Sequence, residues 1–240
     1  MGAQDDRTGD GPEAARPPLL LVHGLASSFD HGWRKPGWVD LATDAGRAVP
    51  PLDLPGHGGT PPPAGPDDLA GALAAAVAPH RQVDAVGFSL GARLLLELAA
   101  REPHRFRKLV VIGVGANLFR EDEELRHLVD VFEQDRAEPD DVVATLFLRL
   151  AHTAGNDPRA LAAVLRHPHE PLDRSTLGRI TCPVLVVMGD RDFAGPPDPL
   201  VEALPDAELV VLPGVDHFGA PNDFGAMSRA LAFVDADPFG

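Results

Sequence analysis

Five short apolar runs, almost without alternation, constrain the fold of this chain more than any other feature. Strands buried on both faces of a parallel sheet have this composition, because neither face meets water. A sixth, weaker candidate spans Ala48 to Leu54, where Pro50 and Pro51 cannot donate hydrogen bonds to a neighbouring strand. The five strong runs are Leu19 to Val22, Val83 to Val86, Leu109 to Ile112, Val184 to Met188 and Leu209 to Leu212.

Helical patterns lie between these runs. Asp68 to Val77 ends before Pro79, Ala92 to Arg101 ends before Pro103, and Phe224 to Val234 lies near the carboxyl terminus. Strands that alternate with helices are joined by right-handed crossovers and form a parallel sheet covered on both faces. The sequence therefore predicts an α/β fold with a mostly parallel, doubly wound sheet of about six strands.

The interval from Asn117 to Ile180 interrupts the alternation, since it contains amphipathic helical patterns and no strand-like run. We interpret it as a small helical cap inserted over the sheet edge. The predicted organisation is a polar tail (1–18), an α/β core (19–116 and 181–240) and the cap (117–180). The cap patterns are Leu125, Leu128, Val129 and Phe132, then Pro139 to Leu150, then a helix that follows Asn156-Asp157-Pro158.

Composition excludes several classes of function. With 240 residues and a formal net charge of −15, the chain would repel nucleic acid, and no Lys/Arg-rich run offsets this charge. No apolar run approaches the ~20 residues of a membrane span, and residues 1–17 do not resemble a secretory signal. The single cysteine, Cys182, excludes an intrachain disulfide and is predicted to be a buried structural thiol. We therefore expect a cytoplasmic protein.

The segment Gly87-Phe88-Ser89-Leu90-Gly91 carries the candidate nucleophile. A predicted buried strand precedes it and a predicted helix follows it, which is the context of a strand-to-helix turn that exposes a strained serine. Glycines are needed two residues before and after the serine, because a Cβ there would collide with neighbouring backbone. Ser89 is the predicted nucleophile.

A serine hydroxyl needs a base and an orienting acid. Of the ten histidines, His217 follows the last apolar run, in a loop at a strand's carboxyl end, where open α/β sheets place their sites. Asp190 and Asp192 follow the preceding run, so either one completes the chain order Ser, Asp, His.

Together these segments resemble the α/β-hydrolase superfamily. The resemblance covers nearly the whole chain after Leu19, and five landmarks occur in the expected order. They are Leu20-Leu21-Val22-His23-Gly24, Asp53-Leu54-Pro55-Gly56-His57-Gly58, the Ser89 turn, Pro183-Val184-Leu185-Val186 with Gly189 and Asp192, and the His217 loop. In this family two strands usually precede the His-Gly strand, and the few residues before Leu19 predict that they are shortened or missing here.

The resemblance also implies roles for single residues. The acid of this family usually lies three residues after the glycine, which favours Asp192 over Asp190. The backbone N–H groups of Leu25 and Leu90 would form the oxyanion hole.

Other landmark residues would support the site. His23 and His57 are structural in the family and would brace loops beside the site. Gly24, Gly87 and Gly91 would allow close approach of backbone segments.

No cofactor or metal is expected. The segment His167-Pro168-His169-Glu170 could supply metal ligands, but no matching ligands occur elsewhere at convincing spacing, so a loop that joins the cap to the sheet is favoured.

The predicted reaction is hydrolysis of a carboxylic ester or thioester, with a small to medium apolar acyl group held under the apolar cap side chains. Two alternatives stay open. Carbon-carbon bond hydrolases of this fold often carry Trp after the histidine, where this chain has Phe218. Other family members keep the three residues and act as ligand receptors.

Overall fold

A parallel five-stranded sheet forms the centre of the molecule in a computed structural model that describes residues 16–121, 126–167 and 170–238. The strand order across the sheet follows the chain, and every neighbouring pair is parallel. The predicted α/β class with a parallel sheet is confirmed. The strands are β1 (Leu19–Val22), β2 (Val83–Phe88), β3 (Phe106–Ile112), β4 (Val184–Gly189) and β5 (Ala207–Leu212).

Helices cover both faces of this sheet. In β1, Leu20 and Val22 face one apolar cluster, and Leu19 and Leu21 face the other. This alternation follows from the two-residue period of a strand. The α-helices of the described residues are α1 (Trp38–Asp44), α2 (Asp68–Val77), α3 (Leu90–Arg101), α4 (Leu128–Gln134), α5 (Val142–Ala154), α6 (Pro158–Leu165), α7 (Arg174–Leu177), α8 (Asp198–Ala203) and α9 (Phe224–Phe233).

Two features of the sheet differ from the sequence predictions. Residues 48–54 contain no strand, and one backbone hydrogen bond, from Leu19 N–H to Ala48 O at 2.9 Å, joins this segment to β1. Pro50 and Pro51 lack the N–H groups that a longer ladder requires. The second difference is in β5, which lies at the edge of the sheet and leaves Leu209 41% and Val211 48% exposed. An edge strand can be apolar without being covered on both faces.

The predicted cap interval contains helices α4 to α7. Asp141 accepts a hydrogen bond from Ala144 N–H at 2.9 Å, which starts α5 at Val142 and not at the predicted Pro139. Buried cap side chains such as Phe132 and Leu161 continue the cluster that also covers α2 and α3. The division into tail, core and cap stays a prediction, and residues 1–15 and Leu125 lie outside the described residues.

The described helices include none that is long and apolar enough to cross a membrane. Cys182 is buried, and burial raises the pKa of its thiol to about 11. A thiol with this pKa stays protonated at neutral pH and is a weak nucleophile.

A buried ion network joins the amino ends of the strands, opposite the candidate site. The carboxylate of Asp84 in β2 is fully buried, and its Oδ2 lies 2.5 Å from Nη2 of Arg47 and 2.5 Å from Nη2 of Arg107. Arg47 also donates to the backbone oxygens of Pro17 and Val234. The network therefore connects β2 and β3 to the residues that precede β1 and follow α9.

We expect Arg47→Met to lower the free energy of unfolding by about 3 kcal/mol, because it leaves Asp84 buried with one arginine partner. Urea unfolding followed by circular dichroism measures this loss. Arg229→Met is the matched control, since Arg229 pairs with Glu208 at 3.8 Å on the surface and should cost less than about 1 kcal/mol. Equal losses of unfolding free energy in the two variants would contradict the expectation that the buried network stabilises the fold more than a surface ion pair does.

Candidate active site

Ser89 occupies the turn between β2 and α3. Its backbone is in a rarely populated region, with φ 51° and ψ −112°, and its N–H donates to Ile112 O at 2.9 Å. A Cβ on Gly91 would lie 2.2 Å from Val22 O, and one on Gly87 would lie 2.7 Å from the Cα of Ala92. Only glycine allows this turn to pack against β1 and α3, as the sequence motif predicts.

A chain of hydrogen bonds connects Ser89, His217 and Asp192. Ser89 Oγ lies 3.0 Å from His217 Nε2, and His217 Nδ1 lies 2.8 Å from Asp192 Oδ1. The imidazole is 2% exposed and the carboxylate is fully buried. A carboxylate at Nδ1 holds the proton there, which leaves Nε2 free to accept a proton from the serine.

Asp190 has a different position. Its Oδ1 accepts a hydrogen bond from Gly214 N–H at 2.7 Å, so it joins the turns after β4 and β5. Asp192 Oδ1 accepts a second hydrogen bond, from Ala194 N–H at 2.8 Å, which orients the carboxylate toward His217. The geometry thus brings Asp192, and not Asp190, to the histidine.

The two residues predicted to supply oxyanion amides lie beside the same cavity as Ser89. Leu25 follows β1, Leu90 begins α3, and both residues line the cavity. The first N–H groups of a helix have no partner within the helix, and in the described part of the chain neither amide has a hydrogen-bond acceptor. Both amides are therefore available to an oxyanion formed at Ser89.

His23 and His57 lie behind these amides. His23 Nε2 accepts a hydrogen bond from Leu54 N–H at 3.1 Å, and His57 Nε2 accepts one from Ala26 N–H at 3.1 Å. Burial lowers the pKa of His23 to about 4 and that of His57 to about 3. Both rings are neutral at pH 7, as an acceptor nitrogen requires. They connect the β1 loop (residues 23–28) to the His57 loop (residues 53–60).

Phenylalanine rings surround the imidazole of His217. The ring centroid of Phe193 lies 4.2 Å from that of His217, and those of Phe88 and Phe218 lie 4.9 Å and 5.6 Å away. Phe147 of α5 packs edge-on against Phe218 at 5.1 Å. These rings exclude water from the histidine, and Phe147 brings the predicted cap into contact with this aromatic cluster.

The cavity above Ser89 has a volume of about 180 Å³. Apolar side chains line its inner part, among them Leu25, Phe147 and Val164, whereas Arg93, Arg120, Glu121, Arg126 and Glu170 are polar members of its lining. Arg120 and Arg126 are exposed, whereas the side chain of Arg93 is 12% exposed, so the polar lining extends from the interior of the cavity to solvent. The cavity therefore fits a ligand with an apolar part and a polar part.

The segment from His167 to Glu170 contributes to this lining. His167 lines the cavity, and the backbone oxygen of Glu170 accepts a hydrogen bond from Arg93. Pro168 and His169 lie outside the described residues. Within the described ranges no group of three potential metal ligands occurs.

Sequence reasoning missed three residues of the site. Phe193 directly follows Asp192, and its position beside a candidate acid was a usable signal. Phe147 lies on the apolar face of a predicted helix, and the sequence pattern does not distinguish it from other core residues. A helix start explains Asn156 locally, although its side chain reaches the β1 loop.

We expect Gly91→Ala to abolish any activity of Ser89, because the new Cβ would overlap Val22 O and force the turn away from β1. Gly71→Ala is the matched control, since a Cβ on this α2 glycine meets no atom within 4 Å. The control should raise the free energy of unfolding by about 0.5–1 kcal/mol. Labelling of Ser89 by a fluorophosphonate, read by mass spectrometry, compares the variants, and normal labelling of Gly91→Ala would contradict the expectation.

Solved structures of other proteins share this architecture. An esterase from Thermogutta terrifontis superposes with a TM-score of 0.69 at 20% identity, covering 90% of this chain and 88% of that chain. The 2-hydroxy-6-oxo-6-phenylhexa-2,4-dienoate hydrolase from Rhodococcus superposes with a TM-score of 0.67 at 24% identity, covering 91% and 90%. At these identities the likeness shows the fold alone.

Sequence relatives carry a common name, pimeloyl-[acyl-carrier protein] methyl ester esterase. The protein from Neisseria meningitidis serogroup A is 32% identical over 213 residues, and the alignment covers 78% of this chain and 65% of that relative. The protein from serogroup B strain MC58 is 31% identical over 212 residues, covering 78% and 79%. A protein from Chromobacterium violaceum is 30% identical over 249 residues, covering 89% and 96%. The prediction of a carboxylic ester hydrolase is confirmed by these relatives.

The model of a protein family described as "alpha/beta hydrolase fold" matches residues 17–140, which are more than half of the chain. This match includes the β1 loop and the Ser89 turn. With it and the relatives above, the chain belongs to the α/β-hydrolase family.

Proposed function

We propose that the protein hydrolyses a carboxylic ester through an acyl-enzyme on Ser89, with His217 as general base and acid and Asp192 as its orienting partner. The observation that carries this proposal is the continuous chain of hydrogen bonds from Ser89 through His217 to Asp192. Ser89 and His217 line a cavity that Leu25 and Leu90 also line. Nucleophile, base and oxyanion donors around one cavity are the requirements of acyl transfer.

In the acylation step, Ser89 Oγ attacks the ester carbonyl carbon and its proton moves to His217 Nε2. The carbonyl oxygen becomes an oxyanion that accepts hydrogen bonds from the Leu25 and Leu90 amides, which are stronger toward a full negative charge than toward the ground-state carbonyl. Collapse of the intermediate breaks the bond to the alcohol oxygen, which leaves with the proton from His217.

Water then attacks the acyl-enzyme and gives a proton to His217. The second tetrahedral intermediate collapses to the free acid, and the same proton returns to Ser89 Oγ. Asp192 stabilises the imidazolium in both steps and keeps its own charge. Because Phe193 and Phe218 exclude bulk water from the imidazole, this charge pair acts in a medium of low dielectric constant.

For the substrate, we propose the methyl ester of an acyl chain attached to a carrier protein. The relatives with at least 30% identity are named for such a substrate. A volume of about 180 Å³ is enough for a small to medium acyl chain, and the polar side of the cavity would let the carrier end of the chain leave toward solvent. We also propose a cytoplasmic location, because the chain has one buried cysteine and no possible intrachain disulfide.

We expect Ser89→Ala to lower kcat for p-nitrophenyl esters by at least about 10³-fold, because it removes the nucleophile and leaves only binding and the oxyanion donors. Ser175→Ala, which removes an exposed hydroxyl bound to Asp173, is the matched control and should keep wild-type kcat. Rates are measured for acyl chains of increasing length, with the initial burst that reports the acyl-enzyme.

Turnover that persists in Ser89→Ala would contradict the proposed mechanism. A wild-type enzyme that cleaves no ester but cleaves a vinylogous diketone would support a carbon-carbon bond hydrolase instead. Binding of esters without turnover would support a receptor.

We expect Arg126→Ala to raise the KM for a methyl acyl ester on carrier protein by about three- to tenfold, because Arg126 lines the solvent-facing part of the cavity. The KM of Arg126→Ala for the same acyl methyl ester without the carrier protein should change less. Arg136→Ala is the matched control, since Arg136 is an exposed arginine paired with Glu138 that does not line the cavity. Equal KM values for the carrier substrate in both variants would contradict the proposed exit of the chain past Arg126.

A further inference from the structure

Asn156 lies where three segments meet: the turn between α5 and α6, the β1 loop and the His57 loop. Its Nδ2 donates to Ala26 O and to Ser27 O, both at 2.8 Å. Its Oδ1 accepts from Gly58 N–H at 2.8 Å. The residue is 7% exposed. Because two carbonyls require a donor and one N–H requires an acceptor, the amide fits in one orientation only.

The backbone of Asn156 is held by the end of α5. Gly155 has a left-handed φ of 76° and donates to His152 O at 3.1 Å, and Asn156 N–H donates to Ala151 O at 2.9 Å. This pair of hydrogen bonds is the usual termination of a helix by a glycine. The side chain of Asn156 therefore starts from a fixed point on the cap helix.

The contact of Asn156 with Ala26 bears on the oxyanion donors. Ala26 has a φ of 64°, which a residue with a Cβ rarely adopts, so neighbouring contacts must maintain it. His57 accepts from the N–H of Ala26, and Asn156 donates to its carbonyl oxygen. The two peptide groups that flank the Cα of Ala26 are thus each fixed by a hydrogen bond to a side chain of another segment. They directly follow the peptide group that contains the N–H of Leu25.

A close approach of the cap to the His57 loop accompanies these hydrogen bonds. A Cβ on Gly56 would lie 2.9 Å from Cγ2 of Val164 and 3.2 Å from Ala160 O, so α6 packs directly on this loop. Asn156 and α6 therefore dock on the core together.

We propose that Asn156 is a positioning residue for hydrolysis: it holds the β1 loop so that the N–H of Leu25 points at the oxyanion, and it makes this orientation depend on the docked cap. The inference rests on the proposed function, since it requires an oxyanion at Ser89. Asn156 contacts no reacting atom and acts through Ala26 and Ser27.

Asn156→Asp tests this role with little change in size. The carboxylate can still accept from Gly58 N–H, but its second oxygen would face the carbonyl oxygens of Ala26 and Ser27 and repel them. We expect kcat for p-nitrophenyl esters to fall by about 10- to 100-fold, with KM changed by less than about threefold. Affinity for an alkyl boronic acid, whose adduct with Ser89 places an oxygen at the oxyanion position, should fall by a similar factor.

Asp157→Ala is the matched control in the same turn. Asp157 caps α6 by accepting from Arg159 N–H at 2.9 Å, and within the described ranges its side chain makes no hydrogen bond to the β1 loop. Its loss should therefore lower Tm and leave kcat within about twofold of wild type. Asn156→Ala, which removes the three hydrogen bonds without adding charge, is measured beside Asn156→Asp. Titration with a fluorophosphonate gives the fraction of reactive enzyme, and kcat is expressed per reactive site.

Wild-type kcat per reactive site in both Asn156 variants would overturn the inference while the proposed function stands. A loss of kcat in Asp157→Ala equal to that in the Asn156 variants would also overturn it, because the effect would then come from general destabilisation of the turn. Turnover that survives in Ser89→Ala would instead reject the proposed function, and the role of Asn156 in the reaction with it.

Discussion

The contact between the Ser89 turn and the end of β1 is the constraint on which the other parts of the site depend. Gly91 packs against the backbone of Val22, and this closeness places the start of α3 beside the β1 loop. Any side chain at position 91 would push the two segments apart. Leu25 belongs to one segment and Leu90 to the other, so this contact keeps both residues in the lining of one cavity. The strained backbone of Ser89 is maintained by the same packing and by its hydrogen bond to β3.

Much of this architecture could be predicted from local sequence signals. The helix Asp68–Val77 agrees with the predicted bounds, because an apolar period and a following proline mark it. Ser89, Asp192 and His217 follow the carboxyl ends of β2, β4 and β5, and the carboxyl ends of parallel strands lie at one edge of the sheet. The apolar runs identify all five strands, although β2 to β5 each extend one to three residues beyond the corresponding run.

What the sequence did not reveal depends on contacts between distant residues. Asn156 stands in front of an Asp-Pro helix start, which explains its presence locally, whereas its partners Ala26 and Gly58 are remote along the chain. The exposure of Val211 depends on the position of β5 at the sheet edge, which composition does not report. Residues 48–54 have a strand-like composition, but two prolines remove the donors that a ladder requires.

The predicted cap interval (117–180) packs into the same apolar cluster as the core and also lies beside the cavity. Phe147 contacts the aromatic rings around His217, α6 packs on Gly56, and Asn156 holds the β1 loop. A movement of the cap that admits a substrate would disturb these contacts at the same time. The interval that lies beside the cavity therefore also contacts the residues next to His217 and the β1 loop.

The buried imidazoles of His23 and His57 also set an acid limit for the folded state. Each has a pKa well below the ordinary 6.5, because burial disfavours the charged ring. An unfolded chain takes up protons at these two rings as the pH falls below about 6.5, while the folded chain does not until the pH approaches about 4 for His23 and about 3 for His57. Stability contributed by the neutral rings is complete above pH 6.5 and declines steadily through this window. The two histidines that connect the β1 loop to the His57 loop thus make the folded state less stable in acid than at neutral pH.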